Sequence, residues 1–339
     1  MSYCSENKIP ADVSLGRVIE VIELLGYIKV RNPLKTKAQV AFYVWNGDKK
    51  SISFAGIELY IYKYADCISV QTRTSIGRSY WDLKHQNKTI SLIRSLFGGS
   101  FTTDEGNNRY MSFDCPEPSK LACSLYLSRW RLKNALQRPT AYLDSRNVNH
   151  DLVHGEFIKA RWLDDLNPIL LSNNSLIPYI IGCWESYFRQ LFVSIIIYAD
   201  SIPEQALKNC RLSGFELLQA ARDPDQLVWR LADSLSFQRP GIIAENFRRL
   251  NSSIDIGAWL RKPYHRRKKS LFESISEIID LRDAIVHAGI TSCTLSDNEI
   301  RRILFDLTEA ANRVYDGLGK VYGFCLLYTS PSPRDAHES

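Results

Sequence analysis

Strand-type patterning stops near residue 146 of this chain and does not return. Before that point "QVAFYVW" (39–45), "SISFAGIELYIYKY" (51–64) and "CISVQTRTS" (67–75) are rich in aromatic and β-branched residues. They alternate as a half-buried antiparallel sheet requires. Beyond it, apolar residues recur at helical spacing to about residue 322. A chain divided in this way does not interleave strands and helices into a parallel sheet. It predicts an α+β N-terminal domain with an antiparallel sheet over 1–145, a linker over 146–169 and an all-α helical bundle over 170–324. The 339 residues accommodate two such domains.

The first domain is expected to open with a helix over Asp12–Leu25, whose Val18, Ile19, Ile22 and Leu25 share a face and whose end Gly26 closes. "NGD" (46–48) reads as a hairpin turn, and a second hairpin over 100–114 turns at Gly106–Asn108. A helix over 89–97 ends at Gly98 and Gly99, and another over 118–137 lies between Pro118 and Pro139. Phe42, Tyr43, Trp45, Tyr60, Tyr62 and Tyr64 are explained by sheet alternation before any binding face is invoked. The second domain is expected to place helices at about 174–199, 203–221, 225–235, 241–250, 266–288 and 296–322. Gly289 closes the fifth, and Ser296–Glu299 forms a capping box that opens the sixth.

Composition narrows the setting. With 45% hydrophobic and 24% charged residues the chain reads as a globular protein. Its eight cysteines include no C-x-x-C pair, which predicts free thiols in a reducing cytoplasm. The first residues lack the apolar core of a secretory signal. The most apolar window, Leu176–Ala199, carries Glu185 and Arg189 at its middle. Each charge would cost roughly 2.5–3.5 kcal/mol at a bilayer centre, so a buried core helix is expected and no membrane partner. His150 and His154 are one helical turn apart but have no third ligand in reach, and no metal or cofactor is expected. The tail from Cys325, "CLLYTSPSPRD", resembles translated sequencing-adapter DNA. Residues 325–339 are therefore set aside, with a different natural sequence expected after about Phe324.

One stretch asks for chemistry. "LRDAIVHAG" (281–289) ends an apolar helix with Arg282 and His287 among aliphatic residues. An imidazole titrates near neutral pH and serves as acid or base. A guanidinium neutralises a crowded phosphate. On a straight helix the two positions lie about 140° apart and about 7.5 Å along the axis, too far for a tight pair from one copy. Upstream, "GCWESYFRQL" puts Glu185 in a strongly apolar helix, where a lone carboxylate needs a partner, and Arg282 is the natural one. The structural alternative is an Arg282–Glu185 pair with His287 complementing the helix dipole. A basic run leads into this helix: Arg239, Arg248, Arg249, Arg261, Lys262, Arg266, Arg267, Lys268 and Lys269, opposed only by Glu245 and Asp255. Such a run attracts phosphate backbones, and Trp259 and Tyr264 are candidates to stack on unpaired bases; the equal alternative is a solvated loop of no special role.

"WESYFRQLF", "LRDAIVHAG" and a final long helix together resemble the HEPN superfamily, in particular its RiboL-PSP and defence-type branch, over about residues 170–322. The resemblance implies a bundle of about five helices and a metal-independent endoribonuclease acting as a homodimer. In that picture Arg282 and His287 from two copies share a cleft, and the 2′-OH of the RNA attacks to leave a 2′,3′-cyclic phosphate. It further implies RNA as substrate, a role in antiphage defence or as a toxin, and an antitoxin or phage-derived activator as a further partner. Many ribonuclease members carry Asn after the arginine. Here Asp283 adds a carboxylate that opposes phosphate binding. The alternative expectation is a catalytically inactive HEPN module that binds nucleotide or RNA or dimerises, with the N-terminal domain recognising a protein partner.

Overall fold

The computed structural model describes residues 2–31, 38–47, 52–75, 77–113, 116–148, 167–204, 212–222, 224–264 and 267–324. The chain divides into two compact units, Met1–Cys123 and Ser124–Ser339.

The first unit is built on one antiparallel sheet. Its strands are β1 (Tyr3–Pro10), β2 (Ile28–Lys29), β3 (Gln39–Trp45), β4 (Ile57–Lys63), β5 (Cys67–Thr74), β6 (Ser100–Thr103) and β7 (Gly106–Asn107), in the order β2-β3-β4-β5-β1-β6-β7. Helices α1 (Leu15–Leu24) and α2 (Tyr80–Phe97) supply Val18, Ile22 and Ile93 to the core. Ile9, Tyr43, Leu59, Ile61 and Val70 meet them from the sheet.

Strand β1, which sequence patterning did not reveal, pairs with both β5 and β6. Its inward positions Ser5, Asn7 and Ile9 are buried, but two of the three are polar. Both find partners inside: Ser5 Oγ bonds Thr72 Oγ1, and Asn7 Nδ2 donates to Ile90 O at 3.2 Å, while Asn7 Oδ1 is buried without a partner. "NGD" does not make a tight hairpin. Trp45 pairs with Ile57 across a connection much longer than two residues. The reason lies in a buried acid. Asp82, in the first turn of α2, is fully buried and accepts from Ser53 Oγ and from the backbone N–H groups of Phe54, Ala55 and Ser79. That carboxylate holds the end of the β3–β4 connection and, with Ser79, closes the capping box of α2. The second hairpin turns at Asp104–Glu105, because Thr103 pairs with Gly106.

His85 of α2 lies flat on Trp45, ring centroids 3.9 Å apart, and its buried Nε2 has no hydrogen-bond partner. Burial, reinforced by the charge of Lys88, pushes its pKa down to about 4.

The second unit is helical: α3 (Lys120–Val148, most of which lies in this unit), α4 (Pro168–Tyr198), α5 (Gly214–Arg222), α6 (Pro224–Asp233), α7 (Pro240–Leu250), α8 (Ile256–Arg261), α9 (Leu271–Ala288) and α10 (Asp297–Tyr322). α3 runs through Pro139 instead of stopping before it, so 146–148 belong to a helix and not to a linker. Proline at 139 has no N–H for the carbonyl four residues back. Tyr179 Oη donates to that carbonyl, Ala135 O, at 3.2 Å.

α4 is the one helix among the described residues long and apolar enough to cross a membrane. In this structure Trp184, Tyr187, Phe188, Leu191 and Phe192 on it are buried. Phe188 and Phe192 pack edge-on against Phe247 of α7. Trp184 Nε1 and Tyr187 Oη find the carbonyls of Gln238 and Ala311, both at 3.1 Å.

Candidate active site at the end of α9

α9 starts at residue 271 and not 266, because Ser270 and Glu273 form its capping box. Leu271, Ile275, Ile278 and Ile279 are buried along one stripe. Three to four residues further on, the same stripe reaches Arg282, Ile285 and Val286. There burial fades: Val286 is 46% exposed, Ile290 beyond the helix 55%, and His287 is exposed. The helix closes on Gly289 in the left-handed region (φ +63°), with Ile290 N–H returning to Ala284 O.

Arg282 is oriented by its neighbour and not by Glu185. Its Nη1 donates to Asp283 Oδ1 at 3.0 Å, and no ion pair joins it to Glu185 among the described residues. The Arg282 Nε is buried without a partner. Asp283 is shared, since its Oδ2 accepts from Arg239 Nη2 at 3.0 Å while Arg239 Nη1 pairs with Asp280 at 2.8 Å. Partial burial opposes ionisation of Asp283. The hydrogen bonds and charges of Arg282 and Arg239 outweigh it and hold the carboxyl below its usual range.

The connection after His287 is pinned by residues that the sequence reading missed. Asn174 of α4 accepts from Ser292 N–H (2.8 Å) and donates to Ser292 O (3.0 Å). Asn173 donates to Leu295 O and to Asp297 Oδ1 at 2.7 and 2.9 Å. Arg146, at the end of α3, donates to Asn173 Oδ1 and Asp297 Oδ1, both at 2.7 Å. Two consecutive asparagines inside an apolar helix are the signal: poor helix formers there need a reason. Ser296 caps α10 by accepting from Glu299 N–H, but Glu299 turns to Arg302 instead of returning the bond.

Most of the basic run is engaged in local pairs. Arg267 bonds both oxygens of Asp306, at 2.7 and 2.8 Å, and Lys269 pairs with Glu277 at 2.6 Å. Arg248 pairs with Asp255 and Arg249 with Glu245. Arg261 lies 3.8 Å over the ring of Phe272. Tyr264 is only 4% exposed, near Phe305 and beneath Arg267 and Arg313, so it has no face to offer a base. Trp259 covers Gly317 on α10. Lys262 and Lys268 are exposed. Arg266, His150 and His154 lie outside the described residues. Among the described residues no group of three or more His, Cys, Asp or Glu is gathered for a metal. No protein-family model matches the sequence, and no curated protein or solved structure matches the chain.

Proposed function

We propose that the helical unit is a metal-independent endoribonuclease of the HEPN type, working as a homodimer in antiphage defence or as a toxin. His287 is the acid–base group and Arg282 the cation for the crowded phosphate. Asp283, braced by Arg239, sets the direction of the Arg282 guanidinium. The observation that carries the reading is the end of α9. An apolar stripe that is buried from Leu271 to Ile279 emerges at Arg282, Ile285 and Val286 beside an exposed His287. Two positions so far apart on one helix complete a site when a second copy brings its own pair. The test is cleavage of RNA in EDTA by wild type, His287→Ala and Arg282→Ala. Wild type alone should cut, leaving cyclic-phosphate ends; equal cutting by His287→Ala sinks the reading.

A second reading, an inactive module that binds RNA or dimerises, is favoured by the ion pairs that already occupy Arg239, Arg267, Lys269 and Arg282. RNA binding without cleavage, the same in wild type and His287→Ala, would select it.

A further inference from the structure

The sheet has one face packed on α1 and α2, and on the other it carries a cleft of about 420 Å³. Glu6 of β1, Tyr60 and Tyr62 of β4, and Gln71 and Arg73 of β5 line it, with Asp104 at its rim. Register brings them together: Glu6 faces Gln71, and Gln71 faces Tyr60, on three neighbouring strands.

The cleft is pre-arranged. Glu6 Oε1 accepts from Ser69 Oγ at 2.6 Å and from Gln71 Nε2 at 3.3 Å, which fixes the carboxylate and leaves its second oxygen without a hydrogen bond among the described residues. Tyr60 is held between Phe42, stacked at 4.8 Å, and Glu58, to which its hydroxyl donates a hydrogen bond at 3.0 Å. Tyr62 stacks towards Tyr64 at 6.3 Å. Arg73 is exposed and makes no ion pair among the described residues. A fixed carboxylate oxygen seeks an N–H donor, a guanidinium seeks adjacent acceptors, and flat rings favour a flat partner. Glu58 and Asp104 nearby disfavour a phosphate in the cleft itself.

We propose that this cleft binds an unpaired guanine-type base, its N–H edge on Glu6, its acceptor edge towards Arg73 and its ring against Tyr60 and Tyr62. Guanine presents N–H donors on one edge and two adjacent acceptors, O6 and N7, on another; adenine carries an amino group where O6 would meet Arg73, and the pyrimidines lack N7. The base comes either from a free nucleoside or from a single strand whose phosphates stay outside. The site does not depend on the nuclease reading of α9.

The experiment is calorimetric titration of the full chain with guanosine, adenosine, cytidine, guanosine monophosphate and maltose. A 2′-O-methyl RNA hexamer with one guanine is added; it cannot supply the attacking hydroxyl. Guanosine should bind, and adenosine at least about tenfold more weakly, the worth of one charge-assisted hydrogen bond. Glu6→Gln keeps the shape and should lose about the same factor. Tyr60→Leu should weaken guanosine and the hexamer together. Tighter binding of the hexamer than of guanosine identifies a strand as the source, and the reverse a free nucleoside. No saturation by guanosine or the hexamer, binding of maltose alone, or unchanged affinity in Glu6→Gln overturns the proposal. Because no arm reads cleavage, an inactive α9 leaves each result intact.

Discussion

Asp82 and Asp283 are both aspartates held by several donors, in different units, and they are satisfied in opposite ways. Asp82 is sealed, taking three backbone N–H groups and a serine hydroxyl that hold a loop end and a helix start. Asp283 is part-exposed and takes two guanidinium groups on long side chains. Backbone donors cannot leave without unfolding the segment that carries them. Guanidinium donors can trade one acceptor for another at small cost, since exposed ion pairs are worth about 0–1 kcal/mol. The contrast separates an acid that builds the fold from one that is able to hand its arginines to a ligand.

The largest test of that contrast is Asp82→Ala, which strands several buried donors at once. A loss of about 3–5 kcal/mol in urea unfolding is expected; a loss under about 1 kcal/mol would break the comparison. Next is acid. Unfolded, His85 takes its proton near pH 6.5; folded, it waits until about 4. Its contribution is whole above the higher value and drains as pH falls between the two, by up to about 3 kcal/mol. His85→Phe should flatten that part of the pH–stability curve, and an unchanged slope would assign it elsewhere. Gly317→Ala comes third. The new Cβ would stand 2.5 Å from the ring of Trp259, with a cost of about 1–3 kcal/mol expected in the melting curve. The smallest effect belongs to Asp283→Asn, less than about 1 kcal/mol in stability. On the nuclease reading the same change should tighten RNA binding, seen in filter retention; weaker binding would assign Asp283 a positive part in holding RNA.

What was legible in the sequence was the division of labour: sheet first, helices after, and α9 ending at Gly289. β1 escaped because Ser5 and Asn7 occupy core positions, and their partners Thr72 and Ile90 lie far along the chain. The pairing within the basic run was hidden for the same reason, since the acid that binds Arg267 is 39 residues away on α10. Local composition records how many charges a segment has, not which are already answered. Pro139 misled in the opposite direction, marking a helix end where a tyrosine from another helix had made the end unnecessary.

That tyrosine makes Pro139 and Tyr179 a single thermodynamic unit. Removing the hydroxyl from Tyr179 leaves the Ala135 carbonyl to solvent only while residue 139 lacks an N–H. With an alanine at 139 the helix supplies its own donor and the hydroxyl becomes dispensable. The two sites are therefore coupled and their effects not additive, so that substitution at one rewrites the tolerance of the other.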